Sequence, residues 1–438
     1  MKKHLLSLSM GVAACAIAGA AFAGNNEAYT SQSGNGGAVN TITLYQNDNG
    51  GSDSYSTSGT GGYNKIGTST DNAVRQIGAG NQLFISQTGK QNTFGADGSY
   101  QNGNGNSAYA VQAGFDSRVD LRQNGDNNGV SSGSNSRSIG YTNYINQSTD
   151  EGLGNNRIGL TQSGSNNEFN LQQIGGYNNS QTVYQNGYAN QAAAYQGFGT
   201  NGSSISISQD GGNNNYASMT QIGATGDTGT TYTAMNPSRI VVNQNGSNNA
   251  ATGTQSGFNN TMTIGQTGSS NFVSATQDAA TQRAEMTINQ YNNSNIAYLT
   301  QSGVTGASYI RASQNGGDTL NATQSGFNNT IDSNQYGTAS FATLTQAGSN
   351  NKQNLTQYGY SNTATLSQDA ATSNSQITLI QYDHNNTASL YQVGATNSTI
   401  YGTQSGANNT ANVTQAGATQ TMNFVQNGNN NLVTARQH

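Results

Sequence analysis

Apolar and polar residues alternate along most of this chain, in short segments that end in glutamine. Counting back from Gln266 in steps of two gives Ile264, Met262 and Asn260, and the same order of amide, apolar, apolar, amide leads to Gln368. A period of two is the side-chain period of a β-strand. The opposite face of each segment is small and polar, with Thr and Ser predominating. The pattern therefore predicts short strands that each bury one face.

The glutamines recur at a fixed spacing. Gln255, Gln266 and Gln277 lie eleven residues apart, and the spacing returns repeatedly up to Gln437. Some intervals are longer, yet counting back from Gln381 still gives apolar residues on the same face. An insertion inside a strand would move every side chain to the other face. We therefore expect the extra residues to lie in the turns.

The residues after each glutamine are rich in Gly and Asn, which adopt positive φ at low cost. Each eleven-residue unit thus holds one strand and one tight turn. The predicted turn glycines are Gly257, Gly268, Gly326, Gly337, Gly348, Gly359, Gly406, Gly417 and Gly428.

Two such units make a coil of about 22 residues whose inward faces oppose each other, and coils stack as parallel strands. The predicted fold is all-β: a β-solenoid of stacked strand-turn-strand coils that is cross-β-like. Buried amides without partners each cost several kcal/mol, so we expect the inward amides to form hydrogen-bonded ladders along the stack. The predicted ladder residues are Gln255, Asn260, Gln266, Asn271, Gln277, Gln324, Asn329, Gln335, Gln346, Asn351, Gln357, Asn362, Gln368, Gln381, Asn386, Gln392, Gln404, Asn409, Gln415, Gln426, Asn431 and Gln437.

The last repeat keeps the full pattern. Asn431, Val433, Ala435 and Gln437 follow the same order as the earlier units, and only His438 comes after them. Solenoids need caps to stop further strands from adding to their ends. We therefore expect an uncapped edge and end-to-end self-association.

Composition supports a repeat rather than an ordinary globular domain. The 438 residues include 57 glycines, one proline and no tryptophan, and only 8% are charged and 32% hydrophobic. Composition alone would also fit a disordered Gln/Asn-rich tract, but a fixed phase across insertions argues against that reading. The formal net charge is −5, and the few Lys and Arg residues are scattered singly. Nucleic acid is therefore not an expected partner.

The N-terminus predicts export. Lys2 and Lys3 precede an apolar run that ends in Ala21-Phe22-Ala23, which is typical of a signal peptide cleaved before Gly24. Lipidation at Cys15 is disfavoured because the apolar run continues past it. No second apolar stretch is long enough to predict a membrane span. The predicted organisation is a signal peptide at 1–23, a Gly/Asn/Ser-rich segment with one degenerate repeat at 24–75, and the repeat solenoid at 76–438.

Candidate chemistry is sparse. After residue 23 the only histidines are His384 and His438, and the aspartates occur singly in predicted turns, so we predict no catalytic, metal or cofactor site. The aspartates fit better as gatekeepers that oppose premature aggregation. Several tyrosines directly follow a ladder glutamine, where they either stack along the solenoid or are simply exposed. They are Tyr291, Tyr336, Tyr358 and Tyr382.

The segment 398–415, STIYGTQSGANNTANVTQ, matches the curlin repeat of Ser, Gln-x-Gly-x-x-Asn-x-Ala and a second Gln. The repeat core recurs along roughly residues 76–437, often with Asn in place of the leading Ser. The chain thus resembles the curlin family, the subunits of curli, which are functional amyloid fibres. The resemblance implies that the predicted β-solenoid is amyloid-forming. The resemblance implies secretion through an outer-membrane pore, a fibre nucleator at the cell surface, and a homopolymeric fibre that serves adhesion and the biofilm matrix. It also implies ladder roles, which we transfer to Gln357, Asn362, Gln368, Gln404, Asn409 and Gln415.

Other functions stay open on the sequence. The chain could be the nucleating minor subunit of such a fibre. It could instead be a monomeric β-solenoid, either a surface adhesin or an ice-binding protein with outward Thr-x-Thr pairs. Asp332 and Lys352 interrupt the threonine array, which favours a solvated face over an ice-binding plane.

Overall fold

The structure is a computed structural model, described here for residues 27–33, 40–47, 65–67, 73–90, 92–128, 144–148, 155–223 and 238–438. The predicted signal peptide lies outside the described residues. Within these ranges the chain forms parallel β-strands joined by turns, and the predicted β-solenoid is confirmed. No helix in them has the length and hydropathy that crossing a membrane requires.

The chain divides into two compact units, Met1–Ile222 and Gly223–His438. In chain order the strands of the first unit are β1 (Glu27–Ala28), β2 (Thr30–Ser33), β3 (Thr41–Asn47), β4 (Lys65–Ile66), β5 (Val74–Ile77), β6 (Gln82–Lys90), β7 (Thr93–Phe94), β8 (Tyr100–Asn102), β9 (Ser107–Phe115), β10 (Arg118–Asn124), β11 (Tyr144–Ser148), β12 (Arg157–Ser165), β13 (Glu168–Ile174), β14 (Ser180–Tyr188), β15 (Gln191–Gln196), β16 (Ser204–Asn213) and β17 (Tyr216–Gln221).

The strands of the first unit form two parallel sheets. The first sheet is β3-β6-β9-β11-β13-β15-β17. The second sheet begins with two short strands per coil, because β1, β4 and β7 pair in one row and β2, β5 and β8 pair in another. The last strand of each row, β7 and β8, pairs with β10. The sheet then continues with one strand per coil through β12 and β14 to β16.

The second unit is more regular. In chain order its strands are β18 (Arg239–Asn245), β19 (Ala250–Gln255), β20 (Thr261–Thr267), β21 (Phe272–Gln277), β22 (Ala284–Tyr291), β23 (Ile296–Thr305), β24 (Ser308–Asn315), β25 (Thr319–Phe327), β26 (Thr330–Gln335), β27 (Phe341–Gln346), β28 (Lys352–Gln357), β29 (Thr363–Gln368), β30 (Gln376–Gln381), β31 (Thr387–Thr396), β32 (Thr399–Ser405), β33 (Thr410–Ala418), β34 (Thr421–Asn427) and β35 (Leu432–Gln437). The odd-numbered strands form its first sheet and the even-numbered strands its second.

Paired strands stay in register when the spacing changes. Ile331 pairs with Gln353, and Ile264 pairs with Ile288 across a longer interval of sequence. The additional residues between Ile264 and Ile288 lie in the turn that joins β21 to β22. Inward side chains up to each ladder glutamine therefore keep their phase when the spacing changes, and the register shifts after Gln301 in β23 and after Val393 in β31 lie beyond the ladder glutamine.

The core consists mainly of columns of aliphatic side chains between the two sheets. Leu344, Leu366 and Leu390 are paired in succession in the first sheet of the second unit, and each is fully buried. Each coil contributes only a few such residues, so burial becomes favourable only when coils stack.

Two core columns contain a glutamine at an aliphatic position. Gln353 lies between Ile331 and Ile377, and Gln181 lies between Ile158 and Ile205. Both are fully buried, and the Oε1 atom of each has no hydrogen-bond partner among the described residues. Gln353 Nε2 donates to the Thr345 carbonyl at 2.7 Å.

Replacing Gln353 by isoleucine is expected to stabilise the chain. The change removes a buried oxygen without a partner, whose desolvation costs about 1–3 kcal/mol, and it loses one hydrogen bond worth about 1 kcal/mol. We expect a net gain of about 1 kcal/mol, measured as slower amide hydrogen exchange in β28 and its neighbours. Gln376, which lies on the outward face of β30, provides the control: Gln376→Ile should leave exchange unchanged. Faster exchange in the Gln353 variant would contradict the prediction.

Candidate assembly site: amide ladders and turn clamps

The inward glutamines form continuous hydrogen-bonded ladders along each sheet. In the second sheet of the second unit, Gln335 Nε2 donates to Gln357 Oε1 at 3.0 Å, and Gln357 Nε2 donates to Gln381 Oε1 at 2.8 Å. In the first sheet, Gln346 donates to Gln368 at 2.9 Å in the same way. Every axial bond in both ladders runs from the lower to the higher residue number, so the ladders have one direction.

Most ladder glutamines also connect the two sheets. Gln346 Nε2 in the first sheet donates to the Thr330 carbonyl in the second sheet at 3.0 Å, and Gln404 Nε2 donates to the Thr387 carbonyl at 3.0 Å. The amide nitrogen thus bonds along the stack and across the core. This double use satisfies a polar group that burial would otherwise penalise.

The asparagines bond mainly to backbone rather than to one another. Asn351 Nδ2 donates to the Ala347 carbonyl of its own turn at 2.7 Å and to the Thr372 carbonyl of the next coil at 2.8 Å. Its backbone N–H donates to Asn329 Oδ1 at 2.9 Å. Direct side-chain bonds between asparagines also occur, as from Asn409 to Asn386 at 3.0 Å. The asparagine is therefore a clamp that ties each turn to its neighbours.

The predicted ladder residues all lie at these positions. From Gln255 to Gln426 each of them is buried, and Asn431 and Gln437 in the last strand are half-buried. The structure thus brings residues from separate repeats into four columns, one glutamine and one asparagine column for each sheet.

Eight of the nine predicted turn glycines have positive φ, and several lie against backbone of the next coil. At Gly359 φ is 88°, and a Cβ would lie 1.8 Å from the Asp383 carbonyl oxygen. Gly337 is the exception because its φ is not positive, yet a Cβ there would still lie 1.9 Å from the Gly359 oxygen. The short distance between neighbouring coils leaves no room for a Cβ at most of these turns. Glycine is therefore required by close approach as well as by positive φ.

The turns contain a second position with positive φ in addition to the glycine. It is Asn in many coils, but Ala339, Ser361 and Thr419 adopt it too, at φ of 55°, 56° and 56°. Non-glycine residues pay a steric cost in this region, and the cost is smallest for Asn. No local sequence signal marks the alanine or threonine, so the stacked coils impose the conformation.

The turn aspartates accept hydrogen bonds within the stack. Asp278 accepts from the Thr281 hydroxyl at 2.8 Å and from the Gly303 N–H of the next coil at 3.1 Å. Asp369 accepts equivalent bonds from Thr372 and Gly394. Burial opposes ionisation of Asp278, but bonds from the Ser302 hydroxyl and the Gly303 N–H lower its pKa. Among the described residues no His, Cys, Asp and Glu side chains group as a metal site would.

One aspartate replaces an asparagine clamp. Asp318 is fully buried between Asn295 and Ser340 in the asparagine column of the first sheet. Its Oδ1 accepts from the Ser340 N–H at 2.8 Å, and its Oδ2 accepts from the Asn315 N–H at 3.3 Å. Burial raises the pKa of Asp318, because desolvation outweighs these two bonds.

Asp318→Asn is expected to gain stability relative to wild type as the pH rises. The pKa of Asp318 is higher in the folded chain than in the unfolded chain. Its contribution to stability is therefore most favourable at a pH below the unfolded-state pKa, and it is lost as the pH rises through the folded-state pKa. The variant lacks this dependence. Denaturation curves of the two chains from about pH 3 to about pH 7 should therefore diverge toward neutral pH. Asp332→Asn, on the outward face of β26, is the control for loss of a carboxylate, and parallel curves for Asp318→Asn would contradict the prediction.

Stacking also brings together charges that are separate in the sequence. Arg118 and Arg157 are register partners in β10 and β12, and both pair with Asp97. Arg118 Nε also lies 2.7 Å from Asp120 Oδ2, and Arg122 donates to the Asp97 carbonyl. The hydrogen bond from Arg118 is the main cause that lowers the pKa of Asp97. The basic residues are therefore not all isolated, since three of them share one face with two carboxylates.

Comparison with known families identifies the repeat. The family described as curlin associated repeat matches residues 238–268 and 384–417. The second match contains the segment 398–415, so the resemblance found in the sequence is confirmed. No curated protein matches the chain.

Proposed function

From its curlin repeats and its solenoid fold, which point to a structural protein, we propose that the chain is a secreted subunit that assembles end to end into extracellular curli-like amyloid fibres. Export by a curli-type outer-membrane pore, a surface nucleator as partner, and roles in adhesion and the biofilm matrix belong to this proposal. They rest on the resemblance and on the predicted signal peptide.

The observation that supports assembly most directly is the single direction of the glutamine ladders. Any coil presents glutamine N–H donors toward higher residue numbers and carbonyl acceptors toward lower ones, as Gln335, Gln357 and Gln381 show. A coil of a second molecule in the same orientation would extend both these ladders and the parallel backbone pairing. Such a contact is heterologous and does not close, so it produces filaments.

The proposal is tested by templated growth. The chain from Gly24 onward is diluted from denaturant, and thioflavin T fluorescence is followed with and without preformed seeds. We expect a lag that seeds remove, followed by fibre diffraction reflections near about 4.8 and 10 Å. Rapid folding to a stable monomer that ignores seeds would overturn the proposal and favour the monomeric adhesin or ice-binding solenoid.

A second comparison separates the major subunit from the nucleator. Fibres of the major subunit should grow in bulk from their own seeds. A nucleator should instead be held at the cell surface and accelerate the assembly of a different chain. Self-seeding without surface attachment would support the major-subunit role.

A further inference from the structure

Three tyrosines form a stacked column on the edge of the second unit. Tyr336, Tyr358 and Tyr382 each directly follow a ladder glutamine of the second sheet, and those glutamines are register partners. The ring centroids of Tyr336 and Tyr358 lie 5.5 Å apart with an interplanar angle of 22°. Those of Tyr358 and Tyr382 lie 5.3 Å apart at 4°. The three rings are 47%, 40% and 40% exposed, so solvent reaches them.

The column has defined ends. The same position is Asn315 in the preceding coil and Ser405 in the following coil. Tyr291 lies one coil before Asn315 and is 48% exposed, so it shares the position and the exposure of the column but is separated from Tyr336 by Asn315. Tyr360, which comes shortly after Tyr358, stacks on His384 with ring centroids 4.7 Å apart and an interplanar angle of 5°.

The backbone fixes the spacing of the rings. The N–H groups of Tyr336, Tyr358 and Tyr382 donate to the carbonyls of the next ladder glutamines, each at 2.8 Å. Neighbouring rings therefore stay within one coil spacing of each other while the side chains turn about their own bonds. A reaction between neighbouring rings is effectively unimolecular. Its rate should therefore be much higher than that of reactions between tyrosines of separate molecules.

We propose that this column is a site of oxidative tyrosine coupling, in which neighbouring coils become joined by a dityrosine bond. The co-reactant is hydrogen peroxide, used by a haem peroxidase. Each of two tyrosines loses one electron and its phenolic proton, and the two phenoxyl radicals join through ring carbons next to the phenol oxygens. The hydrogen on each joined carbon then moves to the oxygen of its own ring. The two hydrogen atoms removed in total reduce one hydrogen peroxide to two molecules of water.

The composition of the chain directs oxidation toward tyrosine. There is no tryptophan, and the one cysteine is Cys15, within the predicted signal peptide. Met262 and Met286 are fully buried in the core. The column thus combines exposure with a stacked ring partner within one coil spacing. Because the partners belong to one chain, the site exists whether or not the chain polymerises.

The test treats the folded chain from Gly24 onward with a haem peroxidase and hydrogen peroxide, then maps dityrosine by digestion and mass spectrometry. We expect most dityrosine in peptides that join Tyr336 to Tyr358 or Tyr358 to Tyr382, with each link lowering the mass by two hydrogens. The same treatment in denaturant should abolish this preference. Linked peptides distributed over all tyrosines in the folded chain, as in denaturant, would overturn the proposal.

Matched variants locate the reaction. Tyr358→Phe keeps a stacked ring but should lose both linked peptides, whereas Tyr291→Phe should keep both. A mixture of isotope-labelled and unlabelled chains should give links within one label, since both partners lie in the same molecule. Retention of the links in Tyr358→Phe, or a majority of mixed-label links, would refute coupling within the column.

Discussion

Gln357→Ala is expected to destabilise the second unit by about 4 kcal/mol, from lost hydrogen bonds and a cavity together. The change removes the axial acceptor of Gln335 Nε2 and the donor to Gln381 Oε1, and both partners are fully buried. It also removes the bond from Gln357 Nε2 across the core to the Phe341 carbonyl. Water cannot easily replace these bonds, because the stacked strands leave the site closed.

Local hydrogen exchange is the appropriate measurement, because solenoids can unfold coil by coil. Protection should fall most in peptides from β26 to β30 and less with distance from β28. Gln376→Ala is the matched control, since its side chain lies on the outward face and bonds to the Thr378 hydroxyl. Equal losses of protection in the two variants would show that the ladder contributes nothing beyond an ordinary surface amide.

Gly359→Ala is expected to cost about 4 kcal/mol or more, since it combines backbone strain with a clash that cannot relax cheaply. The added Cβ would lie 1.8 Å from the Asp383 oxygen and 2.6 Å from its carbonyl carbon. That backbone is held in place, because the Tyr360 N–H donates to the same Asp383 oxygen at 3.0 Å. The coils must therefore separate locally, which breaks pairing on both sides of the turn.

Gly394 supplies the control for this prediction. Its φ is 60°, but no neighbouring atom lies within 4 Å of an added Cβ. Gly394→Ala should therefore cost only the strain of the left-handed region, about 1–2 kcal/mol. Denaturation midpoints and local hydrogen exchange of both variants give the comparison. If the two substitutions cost the same, strain alone would explain the turn glycines and close approach between coils would be irrelevant.

The regular part of the fold follows from the sequence because one physical constraint dominates it. A strand's alternation of faces fixes which side chains enter the core, and a shift by a single position would expose all of them. The prediction that Ile264 and Ile288 share an inward position despite a longer turn is confirmed by their pairing. The positions of Gln357 and Gln381 follow from the same count.

Features that depend on contacts between coils were less predictable. The pairing of Arg118 and Arg157 with one carboxylate arises from register between distant segments, separated by a stretch without the regular spacing. Likewise, positive φ at Ala339 reflects the geometry of stacked turns rather than its own preference. The asparagine clamps were expected to bond amide to amide, but their short side chains reach backbone carbonyls more easily.

Gln353 and Asp318 show a further limit of the pattern. The alternation of apolar and polar residues correctly places both side chains on the inward face. It does not indicate whether each polar atom has a hydrogen-bond partner there. That depends on the shape of the surrounding coils, which leaves Gln353 Oε1 without one and surrounds Asp318 with too few donors to hold its pKa at the ordinary value.

The constant register between coils has a consequence for how this chain could change over evolutionary time. Each internal coil of the second unit pairs with the coil before it and the coil after it, and the turns that follow Gln335 and Gln357 have the same length. An in-frame deletion of residues 336–357 would join Gln335 directly to Tyr358, and an in-frame duplication of the same segment would insert one more coil. Either event would preserve the phase of every inward side chain. Genes for such solenoids can therefore lengthen or shorten by recombination between their own repeats, with the number of coils free to vary while the local structure stays the same.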